Sequence, residues 1–376
     1  MSSTFERHYG MDWLRIGAFG LLILYHIGMV FVPWGWHVKS PEAVDWFAIP
    51  MLGTNSWRLP LLFVVSGFAS RMLIERRSNS RQFVQERTAR LLLPVLFGII
   101  FIIPVQPWIE LTTQHGYSLG FTQFWLTDYF RFRAIDGVDL PTWQHLWFVV
   151  YIWAYTVALP LFTPSVRAQL QPVFGRVFGN AGILLIPMIW AIIVSFWLAP
   201  GEESNHALVG DTVGHLTYIP AFLFGVGLAG SRPAMLAAAR YWKLALALAT
   251  IAFVALCYAL LASGGNQQLS ISQQSILFAS RSIMGWSMIV ALIGIADTFW
   301  NHDHPWRPTL TEAVFPFYII HQTVIVIAGW CLLQWSIGPQ AGFWFIFATT
   351  VAGCAAFYFL GRSVNILRPL IGLRRS

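Results

Sequence analysis

In the segment MDWLRIGAFGLLILYHIGMV, Arg15 and His26 stand 11 residues apart. At about 100° per residue this spacing is close to three helical turns, so both side chains would share one face, about 16 Å apart along the axis. A neutral imidazole is the cheapest ionisable group to bury and a natural proton acceptor near neutral pH. A cation near the helix end and a base deep within it could lead a charged donor from the membrane surface to a buried reaction centre. Each residue also has a plainer reading. Arg15 lies close enough to the edge to snorkel, and a lone buried histidine is more often hydrogen-bonded to a neighbouring helix than catalytic.

Further along, RMLIERRSNSRQFVQERTARLLLP holds six arginines and two glutamates between Arg71 and Arg90. Such a run records topology, and its guanidinium forks also suit phosphate. The specific part is Arg87 and Arg90, one helical turn apart, whose side chains would lie together at the membrane surface. His321, in PFYIIHQTVIV, follows Glu312 by nine residues and so lies roughly opposite it around a helix. The two are not a pair on one helix, and a structural hydrogen bond is the default for His321. Ser66, in FVVSGF, lacks the G-x-S-x-G elbow and reads as a packing residue beside Gly67. Walker loops, GxGxxG after a strand and HExxH are absent. Cys257, Cys331 and Cys354 sit in apolar runs without CxxC, which implies neither a disulfide framework nor a metal site.

The elements that must position these residues follow from composition. Of 376 residues, 57% are hydrophobic and 10% charged, and the mean hydropathy is +0.62. A soluble domain carries about 25% charged residues, so this chain cannot face water all round. The 30 Phe, 19 Trp and 11 Tyr exclude disorder. The expectation is an all-α polytopic membrane helix bundle, one membrane domain over 1–376 with no separate soluble domain and a first span that is retained rather than removed as a signal peptide. A window of about 20 residues gives ten spans, near 13–33, 57–74, 91–109, 144–163, 181–199, 213–230, 242–262, 276–298, 312–334 and 341–361.

A net charge of +7 and a pI near 9.6 would suggest nucleic acid in a soluble protein. Here seventeen of the 23 basic residues fall in one set of loops, whereas the other set holds Lys39, Arg131 and Arg133 against nine acids. The basic side is expected to be cytoplasmic, with both termini inside and no nucleic-acid partner. Arg15, Arg58 and Arg281 remain within or at the ends of spans, where a charge is costly unless it faces the protein interior or snorkels, as Arg58 could do outward. The segment near 110–143 is expected outside, its aromatic residues serving as interfacial anchors or as a lid.

Five strings in order, DWLRIGAFGLLILYH, LPLLFVVSGF, the stretch from Phe83 to Pro94 with Arg87 and Arg90, HLWFVVY and PFYIIHQ, resemble the membrane-bound acyltransferase-3 family over nearly the whole chain. NSWRLPLLFVVSGF and VNILRPLIGL are similar to the branch of that family that succinylates periplasmic glucans. The resemblance implies transfer of an acetyl or succinyl group from cytoplasmic acyl-CoA, a co-substrate rather than a bound cofactor, to a hydroxyl of an extracytoplasmic carbohydrate such as a periplasmic glucan or surface polysaccharide. It implies a bacterial inner membrane location and leaves the oligomeric state open, a homodimer included. The family's Arg-x10-His motif carries over onto Arg15 and His26, with His26 catalytic, and donor phosphates are expected at Arg15, Arg87 and Arg90. Arg58, Ser66, Arg281 and His321 are supporting or acceptor-side candidates, and Arg58 or Arg281 could meet a succinyl carboxylate. General-base catalysis and an acyl-histidine both remain open. A small-molecule exporter is the alternative of another class, disfavoured by the lack of a two-half repeat. A structural subunit would leave Arg15 and His26 unexplained.

Overall fold

The computed structural model describes residues 7–77, 79–262, 269–335 and 337–374. Arg375, counted with the cytoplasmic basic residues, lies outside them. Helices make up most of it: α1 (Tyr9–Met29), α2 (Ala48–Ile74), α3 (Ser80–Phe97), α4 (Val105–Gln114), the single turn α5 (Phe121–Gln123), α6 (Trp147–Ala158), α7 (Pro164–Phe178), α8 (Gly182–Ile193), α9 (Thr212–Leu228), α10 (Arg232–Leu261), α11 (Ile271–Phe299), α12 (Arg307–Leu332) and α13 (Pro339–Ser363). Among the described residues the strands are β1 (Arg133–Ile135) and β2 (Val138–Leu140), an antiparallel ribbon. Asp136 and Gly137 turn it with φ of 48° and 84°, the left-handed values that a tight two-residue hairpin requires.

Each of the ten expected windows overlaps a helix. Among the described residues six helices are long and apolar enough to cross a membrane, or seven if Gln144–Leu161 and Pro164–Phe178, bent by 104°, form one span. The bend has a local cause: Pro160 interrupts the ladder, and Thr163 caps α7 by accepting from the Val166 N–H. Ser80–Gln114 forms one 35-residue stretch through a π-helical turn at Gly98–Ile102. α8 with its π-helical end, Gly182–Leu198, and α9 are shorter apolar helices. α1 falls outside the apolar class although it spans 21 residues. Asp12, Arg15 and His26, the residues that give it chemical interest, are the ones that lower its hydropathy. The molecule is a multi-pass helical membrane protein.

Its contacts divide into two compact units, the first built from Met1–Ala18, Leu52–Val84 and Ala154–Arg307, the second from Phe19–Met51, Gln85–Trp153 and Pro308–Ser376. Both draw on the whole length, so no single boundary separates an N-terminal from a C-terminal part.

In unit 1, α2 crosses α9 at glycines. A Cβ on Gly67 would lie 1.9 Å from the Phe222 carbonyl oxygen, and one on Gly225 would lie 1.9 Å from that of Val64. Small residues let the backbones touch, which in a membrane replaces hydrophobic driving force as the source of helix association. The packing role read for FVVSGF belongs to its glycine. Ser66 is half-buried and forms no hydrogen bond among the described residues.

Unit 2 is organised around α12. Tyr318, Ile319, His321, Ile325 and Val326 are all buried there. Ile27, Val30 and Phe31 from α1 and its C-terminal end, Ile109 of α4 and Ile346 of α13 complete the apolar cluster around it. The 110–143 segment has a small core of its own, Leu111, Phe124, Tyr129 and Leu140. Tyr129 donates to the Ile99 and Thr142 carbonyls at 3.0 and 3.2 Å. Phe132 is exposed beside that core, so the aromatic residues of this segment divide between a packed interior and an outer rim.

Two outcomes follow from this packing. Gly67→Val should destabilise the protein by about 1–3 kcal/mol, because backbone cannot give way to the new side chain; thermal unfolding in detergent reads this, and an unchanged melting temperature would refute the glycine crossing. Tyr117 donates to Asp128 Oδ2 at 2.6 Å, and burial, then that bond, pushes its phenol up from 10.0 to about 12. Because the folded value lies above the unfolded one, its contribution to stability is complete below pH 10 and lost as pH rises through about 12. Tyrosinate absorbance of wild type and Tyr117→Phe should differ by one late-titrating group.

Candidate active site

Three consecutive residues of α12, His321, Gln322 and Thr323, are buried; His321 meets His26, whereas Gln322 and Thr323 both meet Gln106. Successive side chains turn by about 100° around a helix, so the three together occupy most of its circumference. A span whose polar residues are buried all round must satisfy each of them inside the protein.

His321 is satisfied on both ring nitrogens. Its Nδ1 lies 2.7 Å from the Tyr318 carbonyl, and a carbonyl can only accept, so the proton is on Nδ1. A neutral His321 then offers Nε2 as an acceptor. That nitrogen lies 2.9 Å from His26 Nδ1, with the two rings within 10° of parallel. The proton in this bond is therefore carried by His26 Nδ1, and in neutral His26 the lone pair is on Nε2. One backbone carbonyl thus sets the tautomer of two histidines from α12 and α1.

Beside this pair runs a second polar chain, whose hydrogen bonds run outward in both directions from the Gln322 amide. Thr323 Oγ1 donates to the Ile102 carbonyl at 3.0 Å and receives the Gln106 amide at 2.6 Å. Gln322 Nε2 donates to Gln106 Oε1 and to His37 Nε2, each at 3.0 Å. His37 has then to carry its proton on Nδ1, which meets Glu110 Oε2 at 2.5 Å. His145, at the entry to α6, donates from Nε2 to the Ile319 carbonyl at 3.1 Å. Its Nδ1 is buried and has no hydrogen-bond partner among the described residues. The His145 and His321 rings meet at 4.9 Å, 78° apart. Outside the spans, Lys39 donates to the Met29 carbonyl at 2.6 Å and to that of Val32, capping the C-terminal end of α1. Burial pushes its ammonium down to about 8.

Of the residues singled out in the sequence, the structure brings together His26 and His321. Arg87 and Arg90 lie in the same unit, on α3, half-buried and exposed respectively. Arg15 is half-buried near the start of α1, 4.0 Å from Asp12, a carboxylate that also pairs with Arg7 at 2.8 Å and Arg307 at 3.0 Å. Arg58, Ser66 and Arg281 belong to unit 1. Arg58 is 3% exposed, which corrects the reading that it snorkels outward: its side chain is packed inside unit 1, with Nη1 3.4 Å from Thr54 Oγ1. Glu312 turns away from His321, as its spacing required, and meets the Tyr358 hydroxyl at 3.1 Å and Arg362 at 3.4 Å.

Tyr318, Gln322, Gln106, His145, His37 and Glu110 were not expected. Gln106 and Gln322 carried a usable signal, because an uncharged polar residue within an apolar span must also find a partner. His37 and Glu110 stand at the edges of spans, where no local pattern marks them.

The acyltransferase domain that defines the acyltransferase-3 family matches residues 8–359. Glucans biosynthesis protein C of Escherichia coli K12 is 26% identical over 228 residues, which cover 58% of this chain and 57% of that protein. Its counterparts in Escherichia coli O157:H7 and Shigella dysenteriae serotype 1 align to the same extent. The chain therefore spans rather more than half the length of these curated relatives. No solved structure matches it. Since the matched region runs from the residue before α1 to near the end of α13 and holds every histidine of the site, the chain belongs to the acyltransferase-3 family.

Proposed function

We propose that this membrane acyltransferase moves an acetyl or succinyl group from cytoplasmic acyl-CoA to a hydroxyl of an extracytoplasmic carbohydrate, with His26 as the base. The observation that carries this reading is the bond from His26 to His321, because it leaves the proton-accepting lone pair on His26 Nε2. As the acceptor oxygen attacks the thioester carbonyl, its proton passes to Nε2. The carbon–sulfur bond then breaks and the proton returns from His26 to the departing thiolate, giving coenzyme A and an O-acyl ester. His321 acts as a positioning residue. It holds the Nδ1–H of His26 and continues to accept it when His26 becomes an imidazolium. The same Nε2 lone pair could instead take the acyl group first, as an acyl-histidine.

Donor phosphates are assigned to Arg87 and Arg90, whose forks suit phosphate oxygens. Arg15, about 16 Å from His26 along α1, is retained as a donor-side cation. The name of the relatives, glucans biosynthesis protein C, supports a glucan as acceptor; the bacterial inner membrane is the location that accords with a multi-pass helical chain and a cytoplasmic donor.

Purified protein supplied with acetyl- or succinyl-CoA and an oligosaccharide should release coenzyme A, and His26→Ala should lower that rate by about 10²–10⁴-fold while the protein remains folded. An exporter would bind the thioester without cleaving it. Arg87→Ala and Arg90→Ala should raise the donor KM and leave kcat nearly unchanged, whereas unaltered donor affinity would reduce these arginines to topology markers. His321→Phe should lower kcat by about a hundredfold or more at constant donor KM, since His26 then loses the partner that selects its tautomer. Full activity in His321→Phe would remove the tautomer argument.

A further inference from the structure

Unit 1 contains a cavity of about 620 Å³, within the size range of small-molecule sites. Its wall comes from α2, α7, α8, α9 and α11 and is dominated by Phe174, Trp190, Pro220, Phe224 and Trp286. The indole N–H groups are already used inside the fold, that of Trp190 by the Leu216 carbonyl and that of Trp286 by the Ile183 carbonyl. Ser195 and Ser282, also in the wall, are 3.2 Å apart and bond to each other. The charge in the wall is Arg281. Its guanidinium has no hydrogen bond or ion pair among the described residues. Ser56, in the same wall, has a hydroxyl that also lacks a partner among them.

A cation is costly in an apolar helix; Arg281 is half-buried, and among the described residues it lacks the carboxylate partners that the buried Arg307 has in Asp303 and Asp12 and the buried Arg167 has in Glu75. Arg281 stands five residues inside the apolar stretch 276–298, about 7–8 Å along the helix, within the reach of a headgroup. Ile186 and Leu223, two of the lining residues, are exposed apolar side chains on α8 and α9, so the rim there faces hydrocarbon rather than water. A soluble anion would leave the aromatic wall unfilled, and an uncharged apolar molecule would leave Arg281 uncompensated.

We propose that this cavity binds one anionic amphiphile, with a phosphate or carboxylate head on Arg281 and an acyl chain along the aromatic wall. The proposal concerns residues of unit 1 alone and does not rest on the function proposed for the histidines.

Delipidated full-length protein should be titrated with phosphatidylglycerol, oleate and uncharged diacylglycerol and the bound species counted by native mass spectrometry. One equivalent of phosphatidylglycerol, oleate or both should bind about tenfold or more tightly than diacylglycerol, the margin of a charge-assisted bond. Binding of only one of the two anions would identify the head as phosphate or carboxylate. Arg281→Gln should erase the preference and Arg281→Lys should keep most of it, while Ala191→Trp should fill the cavity and abolish binding. Diacylglycerol binding as tightly as the anions in the wild-type protein would overturn the proposal, a comparison that needs no variant to fold. So would unchanged lipid selectivity in folded Arg281→Gln.

Discussion

The hydrogen bond between His26 Nδ1 and His321 Nε2, 2.9 Å long, depends on a third group, the carbonyl of Tyr318. A main-chain oxygen within a helix cannot donate, so it fixes where the His321 proton resides and, through His321, where the His26 proton resides. The remaining lone pair is the chemical product of that arrangement. Burying the His321 imidazole would be unfavourable if either of its ring nitrogens lacked a partner, and the bonds to the Tyr318 carbonyl and to His26 meet that requirement. The rest of unit 2 serves the same constraint, because the polar residues buried at the middle of α12 have each to be answered by a partner within the protein.

The answers come from far apart in the chain. Gln106 follows the π-helical turn at Gly98–Ile102, His37 comes from the loop after α1, Glu110 from α4 and His145 from the entry to α6. The hydrogen bonds run outward from the Gln322 amide, through Gln106 to Thr323 on one side and through His37 to Glu110 on the other, so the orientation of every amide and imidazole depends on its neighbour. Such a network fixes the side chains of Gln322 and Thr323, the two residues that follow His321 on α12.

Polar residues have two effects on α1. His26 supplies a candidate base and Arg15 a cation beside the Asp12 carboxylate, and the three take the helix out of the hydropathy class that marks ordinary spans. Hydropathy alone would understate α1 because functional residues within a span reduce the signal by which spans are recognised. α12 avoids this conflict by surrounding its polar residues with a strongly apolar sequence, and it passes the same criterion. Glycine offers the opposite case. The crossing of α2 and α9 rests on Gly67 and Gly225, and hydropathy barely registers either residue.

Composition determined by itself that the chain lies in a membrane, since 57% hydrophobic and 10% charged residues cannot face water all round, and apolar runs of about 20 residues determined that it crosses as helices, because barrel strands are shorter and alternate. The helical period determined that Arg15 and His26 could share a face and that Glu312 and His321 could not, since both statements concern one helix. Tertiary structure alone decided that His321 is the partner of His26, that Arg58 is buried, and that Arg281 borders an apolar cavity in unit 1. The physical reason is that these are relations between helices. A helix's own sequence specifies which face is apolar, but the identity of the group across an interface depends on crossing positions set by packing over the whole unit.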